Sequence, residues 1–579
     1  MCLEASLSMS NRGMCYYHLG LVEQALHDLQ AAESLGYPDE IKINKRRSLY
    51  TSRLAKMPKP RQLNRSPPKD PPYTVFLSQD SGRGLKATRT IKSGELIIAD
   101  PAYVSLLELD RLDSFCYHCL RKIQHQQIFP CISCTQIRYC SMNCSREGFT
   151  VHRYECGYLD LIKENLSPNS AAKLLSMKII LSSDPSQVLS NDAIENNNLA
   201  PTNDYSNMMR LVDHECDGHI LNREAAFLTS LIMSQHEGYK YLDPDCQLVL
   251  ANKLLKHARQ IKWNAMSISH RSLTSADFDP EVMDLREDLI GVGIFFTQLL
   301  INHSCDPNIQ TCGFDGNRVY LQAIKNIDSG EEILNSYGMF SKWQPYDYRQ
   351  SYLKENYNFC CNCSACRYRK EPLIRSYKCL AVNCNGPVVH QKCLLCSRLM
   401  TKEQELLIKQ EIVSANRAIS AGVKFLNEYL YEEEEDRNKF TIMERMFWDS
   451  YKRLRKHLYR DHRDVIMTMD TICSFYLRTN VTESKEAATD CAKRLLRDTR
   501  RVFDEDVHLF NTILKVMHCL SAFTPRVETE EVDDLKRIAD EAQTLISKIL
   551  PCESHEFQTL TDDILSLCTA NGDEETNEL

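Results

Sequence analysis

The chain is 579 residues long, 43% apolar and 26% charged, with a formal net charge of −8. That length exceeds what one hydrophobic core normally supports, the charge balance excludes a globally basic nucleic-acid-binding protein, and no run approaches the ~18 apolar residues of a membrane span. The opening MCLEASLSMSNRG lacks the basic-then-apolar order of a secretory signal; the expected setting is therefore the reducing cell interior, where 26 cysteines point to metal rather than disulfides.

Residues 1–56 place Leu19, Ala25, Leu26, Leu29 and Ala32 at helical spacing before Pro38, which predicts a helix hairpin like one tetratricopeptide unit. Such units need about three stacked copies to bury their faces. Here one is complete, with KINKRRSLYTSRLAKM trailing it, so the helices belong to a shortened array or pack on the chain's own body. A Pro-rich linker, MPKPRQLNRSPPKDPP, fills residues 57–72. Short β-prone runs follow over 73–115. Two stretches resemble each other, ATRTIKSGELI from Ala87 and AIKNIDSGEEI from Ala323. Each reads as a hairpin turning at Gly94 or Gly330, and the likeness is no more than hairpins commonly share.

Residues 116–156 are dense in cysteine, and residues 157–265 are helical in pattern with a polar break at SNDAIENNNLAPTND. β-prone sequence resumes near Ile290 and ends near Tyr337. Residues 403–579 read as amphipathic helices in hairpins, with the acidic run YEEEEDR as a solvated helix end.

The first cysteine cluster, Cys116, Cys119, Cys131, Cys134, Cys140, Cys144, His152 and Cys156, supplies two tetrahedral ligand sets for zinc. A segment this small has almost no core, so metal is expected to supply its folding energy. In NFCCNCSACRY, Cys361, Cys363 and Cys366 make a set one ligand short, because neighbouring Cys360 points away from Cys361. The fourth ligand is Cys305 of LINHSCDPN, reaching across the fold, or else Cys360; alternatively Cys305 is a plain buried thiol. Cys379, Cys384, Cys393 and Cys396 are spaced like a small zinc ribbon, with His390 in reach as a substitute ligand. Four zinc ions per chain are expected.

A MYND-like finger between two β-prone halves, then NHSCDPN, GEEILNSYG and C-x-C-x2-C, resembles the SMYD family of SET-domain lysine methyltransferases over residues 73–367, and most of all its SMYD four branch. The resemblance implies an α+β multi-domain chain: a β-rich SET domain (73–115 and 266–340) split by a MYND zinc finger (116–156) and a helical insertion (157–265). A post-SET zinc segment (341–370) and a ribbon-like segment (371–402) follow. Tetratricopeptide-like helices flank it at 1–56 and 403–579. The family finger interleaves its ions, with Cys116, Cys119, Cys140 and Cys144 on one and Cys131, Cys134, His152 and Cys156 on the other.

The same resemblance implies S-adenosylmethionine as cofactor, lined by Ser81, Gly82, Arg83 and Gly84 of DSGRGLKAT and contacted by Asn302 and His303. Tyr337 matches the catalytic tyrosine beside the cofactor, and Tyr357 and Phe359 match aromatics that wall the lysine channel and stack on the adenine. His214 of LVDHECDGH matches a cofactor-contacting histidine, or is an ordinary surface residue. Arg83 stands where relatives often have Asn, and Met266 where an aromatic is common, which bears on pocket width and substrate choice. The expected function is lysine methylation of a protein substrate by a cytoplasmic and nuclear monomer that binds protein partners through its finger and helices. The alternative is an inactive scaffold recruiting those partners. Arg121, Lys122, Arg138, Arg146 and Arg153 are scattered without a base-reading helix, so DNA binding ranks below protein binding.

Overall fold

The computed structural model describes residues 2–18, 22–56, 70–79, 82–123, 128–165, 171–190, 203–213, 219–276, 279–430, 436–479, 484–503, 507–523, 537–542 and 544–545. It is a mixed helix and strand protein, and among the described residues no helix is long and apolar enough to cross a membrane.

Three helices, Cys2–His18, Val22–Ser34 and Glu40–Lys56, close on Ala25, Leu26, Leu29, Ala32, Ile43 and Tyr50. They pack on the chain's own body. Met142, from the cysteine-rich segment, joins their core, and the His27 ring meets Phe129 edge-on at 5.4 Å.

One part of the fold is built from a four-stranded and a three-stranded sheet, each joining strands from distant parts of the sequence. Gly82–Ala87 lies between Tyr73–Ser78 and Glu332–Asn335, with Asn302–His303 parallel on the far side of Glu332–Asn335. Leu96–Pro101 pairs with Arg318–Ala323, which in turn pairs with Ile309–Asp315. Neither look-alike segment is therefore a hairpin, contrary to the sequence reading. The outgoing strand of each copy pairs with the incoming strand of the other.

The exchange is reciprocal down to single bonds. Gly330 N–H donates to Ala87 C=O at 2.8 Å and Gly94 N–H donates to Ala323 C=O at 2.8 Å, while Ile91 and Ile327 exchange both bonds at 2.9 Å. Gly94 and Gly330 both sit at positive φ, +88° and +86°, the left-handed turn that a side chain resists. The likeness thus records a local two-fold arrangement.

A long hairpin, Met266–Ala276 with Asp279–Ile294, adds Val104–Leu107 at one edge. Strand structure thus resumes at Met266, well before Ile290. Its charged outer arm hides the alternation because the C-terminal helices meet it. Asn511 of the Val507–Phe523 helix bonds Leu285 through both backbone groups, at 2.8 and 3.3 Å. Leu285 belongs to the same core as Phe447, Met469, Phe475 and Phe510 of the C-terminal helices.

The helical insertion packs Leu175, Ile179, Leu228, Ile232 and Leu254 against Val104, Leu106 and Ile294. His257 ties two of its helices together. Fully buried, it bonds the Tyr205 hydroxyl through Nε2 at 2.9 Å and Gln260 Oε1 through Nδ1 at 2.8 Å, and Gln260 donates to the Met208 and Leu211 carbonyls. Burial lowers the His257 pKa to about 4, with Lys256 and Lys253 working in the same direction.

The folded state therefore refuses a proton that the unfolded chain accepts. Stability from this group is complete above about pH 6.5 and falls by up to roughly 3 kcal/mol as the pH drops toward 4. Urea midpoints measured across that range are expected to fall, and to fall less in a His257→Gln variant.

Candidate functional site

The strand pairing brings three distant sequence pieces to one point. Asn302 Nδ2 donates to Arg83 C=O at 3.2 Å and to Glu332 Oε1 at 2.9 Å. Gly84 has no room for a side chain, since a Cβ would lie 2.7 Å from Phe76 and 2.9 Å from Asn302 Nδ2. Gly84→Ala is expected to displace Asn302 and cost about 1–3 kcal/mol of stability, read as a lower denaturation midpoint.

Tyr337 leaves the Glu332–Asn335 strand and turns its ring inward. Its hydroxyl donates to Ile301 C=O at 2.8 Å. Burial pushes the phenol's pKa up, and Tyr357 and Glu332 add to the shift, so the group stays protonated. Rings surround it: Tyr357 at 4.9 Å, His303 at 5.2 Å and Phe359 at 6.4 Å between centroids. Ser336 Oγ, next door, is a buried polar atom with no partner.

His303 accepts the Tyr337 N–H through Nδ1 at 3.0 Å. Its proton therefore sits on Nε2, which lies 3.3 Å from Cys305 Sγ. Burial lowers its pKa to about 4, keeping the ring neutral. Both ring nitrogens are thus spent on holding the turn and the thiol, which leaves the backbone and ring face of His303 for a ligand.

Cys305 does cross the fold. With Cys361, Cys363 and Cys366 it forms a set whose sulfurs lie within 4.8 Å of one another. Cys305 is 3.5 Å from Cys366 and 3.9 Å from Cys361. Zinc–sulfur bonds of about 2.3 Å at a tetrahedral centre require sulfurs about 3.8 Å apart, so the four fit one ion. Cys360 is exposed and takes no part.

The Tyr346–Tyr357 helix ends at Asn358 in left-handed conformation, φ +58°, and the chain runs through Phe359 straight into this cluster. Tyr357 and Phe359 are thereby anchored beside this sulfur cluster.

Three other sets converge in the same way: Cys116, Cys119, Cys140 and Cys144; Cys131, Cys134, His152 and Cys156; and Cys379, Cys384, Cys393 and Cys396. His152 presents Nε2 to Cys134 at 3.4 Å and turns Nδ1 to buried Glu155 at 3.4 Å, the outer-sphere carboxylate that orients a ligating imidazole. The Tyr117 hydroxyl also bonds Glu155. His390 is not a substitute ligand. It sits with Gln391 in a left-handed turn, 72% exposed, and faces Glu371 at 3.3 Å.

A SET domain family model matches residues 82–338. The chain is 26% identical over 296 residues to the N-lysine methyltransferase SMYD2 of Gallus gallus, covering 51% of this chain and 60% of that protein. The Homo sapiens SMYD2 is 26% identical over 291 residues, 50% of this chain and 59% of its own. The protein-lysine N-methyltransferase SMYD4 of Danio rerio is 23% identical over 457 residues, 63% of this chain and 60% of its own. The chain carries a SET domain and is similar to SMYD lysine methyltransferases over about half its length.

The chain spans about 60% of the length of these relatives. Of the site residues that the SMYD resemblance implies, Gly82, Arg83, Gly84, Asn302, His303, Tyr337, Tyr357 and Phe359 lie on the elements just described. Ser81 and His214 lie outside the described residues. Sequence reasoning missed three residues that hold this site together.

Asn308 uses every polar group it has: N–H to Leu334 C=O, Oδ1 to Leu334 N–H, Nδ2 to Glu332 C=O and Glu331, and its carbonyl to Ile324 N–H. Glu332 receives Asn302. Arg349, fully buried, donates to the Gln344 and Lys370 carbonyls and lies 3.9 Å from Cys366 Sγ. Burial opposes its charge, but the Cys366 and Cys305 sulfurs outweigh that and raise its pKa. A zinc ion held by these four thiolates would carry net negative charge, which Arg349 is placed to offset. The only sequence signal for Asn308 is its place in NHSCDPN; Arg349 gives none.

Proposed function

We propose that the chain is a protein-lysine N-methyltransferase that uses S-adenosylmethionine. The observation that carries this reading is the protonated Tyr337 hydroxyl fixed on Ile301 C=O inside a ring of His303, Tyr357 and Phe359. The residues suit the cofactor: Gly82 is exposed with open space beside it, Ser336 Oγ is an unpartnered buried polar atom, and two rings offer flat apolar faces.

S-adenosylmethionine supplies, when bound, a methyl group on a sulfonium; the amine nitrogen bonds to that carbon as the carbon–sulfur bond breaks. A lysine with a pKa of about 10.4 offers its free amine on the order of once in a thousand at neutral pH, a cost of roughly 4–5 kcal/mol. The aromatic enclosure disfavours ammonium through desolvation, and the proton leaves to solvent as the side chain enters. Tyr337 then orients the nitrogen, and positioning supplies much of the remaining rate.

The finer reading assigns residues 116–156 as a MYND finger with two zinc ions, two further ions at the Cys305 and Cys379 sets, and tetratricopeptide-like helices at both ends. The longer alignment to the zebrafish SMYD4 supports that branch. Protein partners suit the finger better than DNA, because Arg121 and Arg138 are spent on Asp315 and Asp113. The proposed setting is a monomer in cytoplasm and nucleus. Incubating the purified chain with labelled S-adenosylmethionine and cell extract is expected to label protein lysines. A chain that binds the cofactor and labels nothing is a scaffold.

A further inference from the structure

The ribbon at residues 377–402 has a basic and aliphatic surface. It carries Lys378, Lys392, Arg398 and Lys402 and no acidic residue of its own, in a protein whose net charge is −8; the carboxylates of Glu371 and Glu405 meet it at His390 and Gln391, away from the cysteine loops. It also exposes aliphatic side chains: Val382 is 89% exposed, Leu395 74%, Leu399 68%, Leu394 58% and Leu380 39%. Leu380 and Val382 lie on the loop between Cys379 and Cys384, Leu394 and Leu395 on the loop between Cys393 and Cys396. All four cysteines share one cluster, so the two loops sit at one end of the ribbon. Leu395 lies against Gly386, where a Cβ would come within 2.9 Å of it, which binds the second loop to the exit of the first.

Folding does not need these leucines outside. The ribbon's own core is Cys379, Val388, Cys393, Met400 and Ile408. Both sheet edges are already covered, by Leu458 and Leu399, so strand addition is not the mode of binding. Several aliphatic side chains left in water together mark an interaction surface, and the basic rim selects negative charge.

We infer that the ribbon docks a short peptide segment of a protein partner that combines aliphatic and acidic side chains. An anionic membrane shares that chemistry but would draw the whole acidic chain toward a negative surface. A peptide senses only the field within about 8 Å.

The test is panning a phage-displayed random peptide library on the full zinc-loaded chain, followed by affinity measurements on the enriched peptides. The expected consensus combines Leu, Ile or Val with Asp or Glu. Its peptides should bind about tenfold or more weakly to Leu394→Asp/Leu395→Asp and to Lys392→Glu/Arg398→Glu, and weaken as salt rises. Zinc content and thermal melting verify that each variant folds, and all four positions are exposed. No enrichment, a consensus without acidic residues, or unchanged affinity for both variants overturns the inference. So does flotation with phosphatidylserine vesicles that depends on Leu394 and Leu395, which would assign the surface to lipid.

Discussion

Replacing Cys305 with alanine is expected to lower zinc from four ions per chain to three and to cut methyl transfer by about 10²-fold or more. Cys305 is 1% exposed, and its sulfur completes a tetrahedron otherwise built from Cys361, Cys363 and Cys366. Three thiolates remain after the change, with buried Arg349 facing a centre that no longer holds its ion. The chain just before Cys361 carries Tyr357 and Phe359, the walls around Tyr337. Released, they no longer fix the reacting groups, and a misplacement of about 1 Å costs on the order of 10² in rate.

Cys312 is the control. It is also buried, and its thiol donates to Tyr320 C=O at 3.3 Å, but it belongs to none of the described ligand sets. Cys312→Ala should keep all four ions. Elemental analysis of both variants decides the matter, and a Cys305→Ala protein with four ions would remove the proposed closure.

Tyr337→Phe is expected to reduce turnover by about 10²–10³-fold, the cost of losing one preorganised polar group at a reacting centre. The change removes one oxygen and leaves the ring among His303, Tyr357 and Phe359. Tyr337 N–H to His303 Nδ1 survives, because it is a backbone bond. Cofactor affinity and zinc content should therefore stay near wild type while turnover falls, a split that distinguishes an orienting hydroxyl from a merely structural one. Equal turnover in the variant would make Tyr337 a packing residue and favour the scaffold.

The metal sets were legible because valence is countable. Three closely spaced thiols ask for a fourth, and Cys305 follows an apolar run that brings it to the centre. Asn308, Glu332 and Arg349 were not legible, because each acts through partners that the chain delivers from elsewhere. Asn308 looks like a loop residue until Leu334 and Glu332 lie beside it, and Arg349 looks like one charge on a polar helix until Cys366 reaches it. The Asp279–Ile294 strand escaped for the opposite reason. Its sequence, DPEVMDLREDLIGVGI, is charged over its first part, and Leu285 is buried where the helix bearing Asn511 packs on it.

The reciprocal bonds between the two look-alike segments also dictate when this protein can assemble. Ala87 waits for Gly330 and Glu331, its hydrogen-bonding partners. At about 5–20 residues per second a ribosome needs roughly 10–50 s to make the intervening stretch. Throughout that interval the first strands expose unpaired edges while the finger and the helical insertion emerge ahead of their partners. With the proposed zinc sites, metal capture by residues 116–156 and early closure of the insertion would shield the nascent chain over that interval. Zinc supply during translation, rather than afterwards, should govern the yield of active protein.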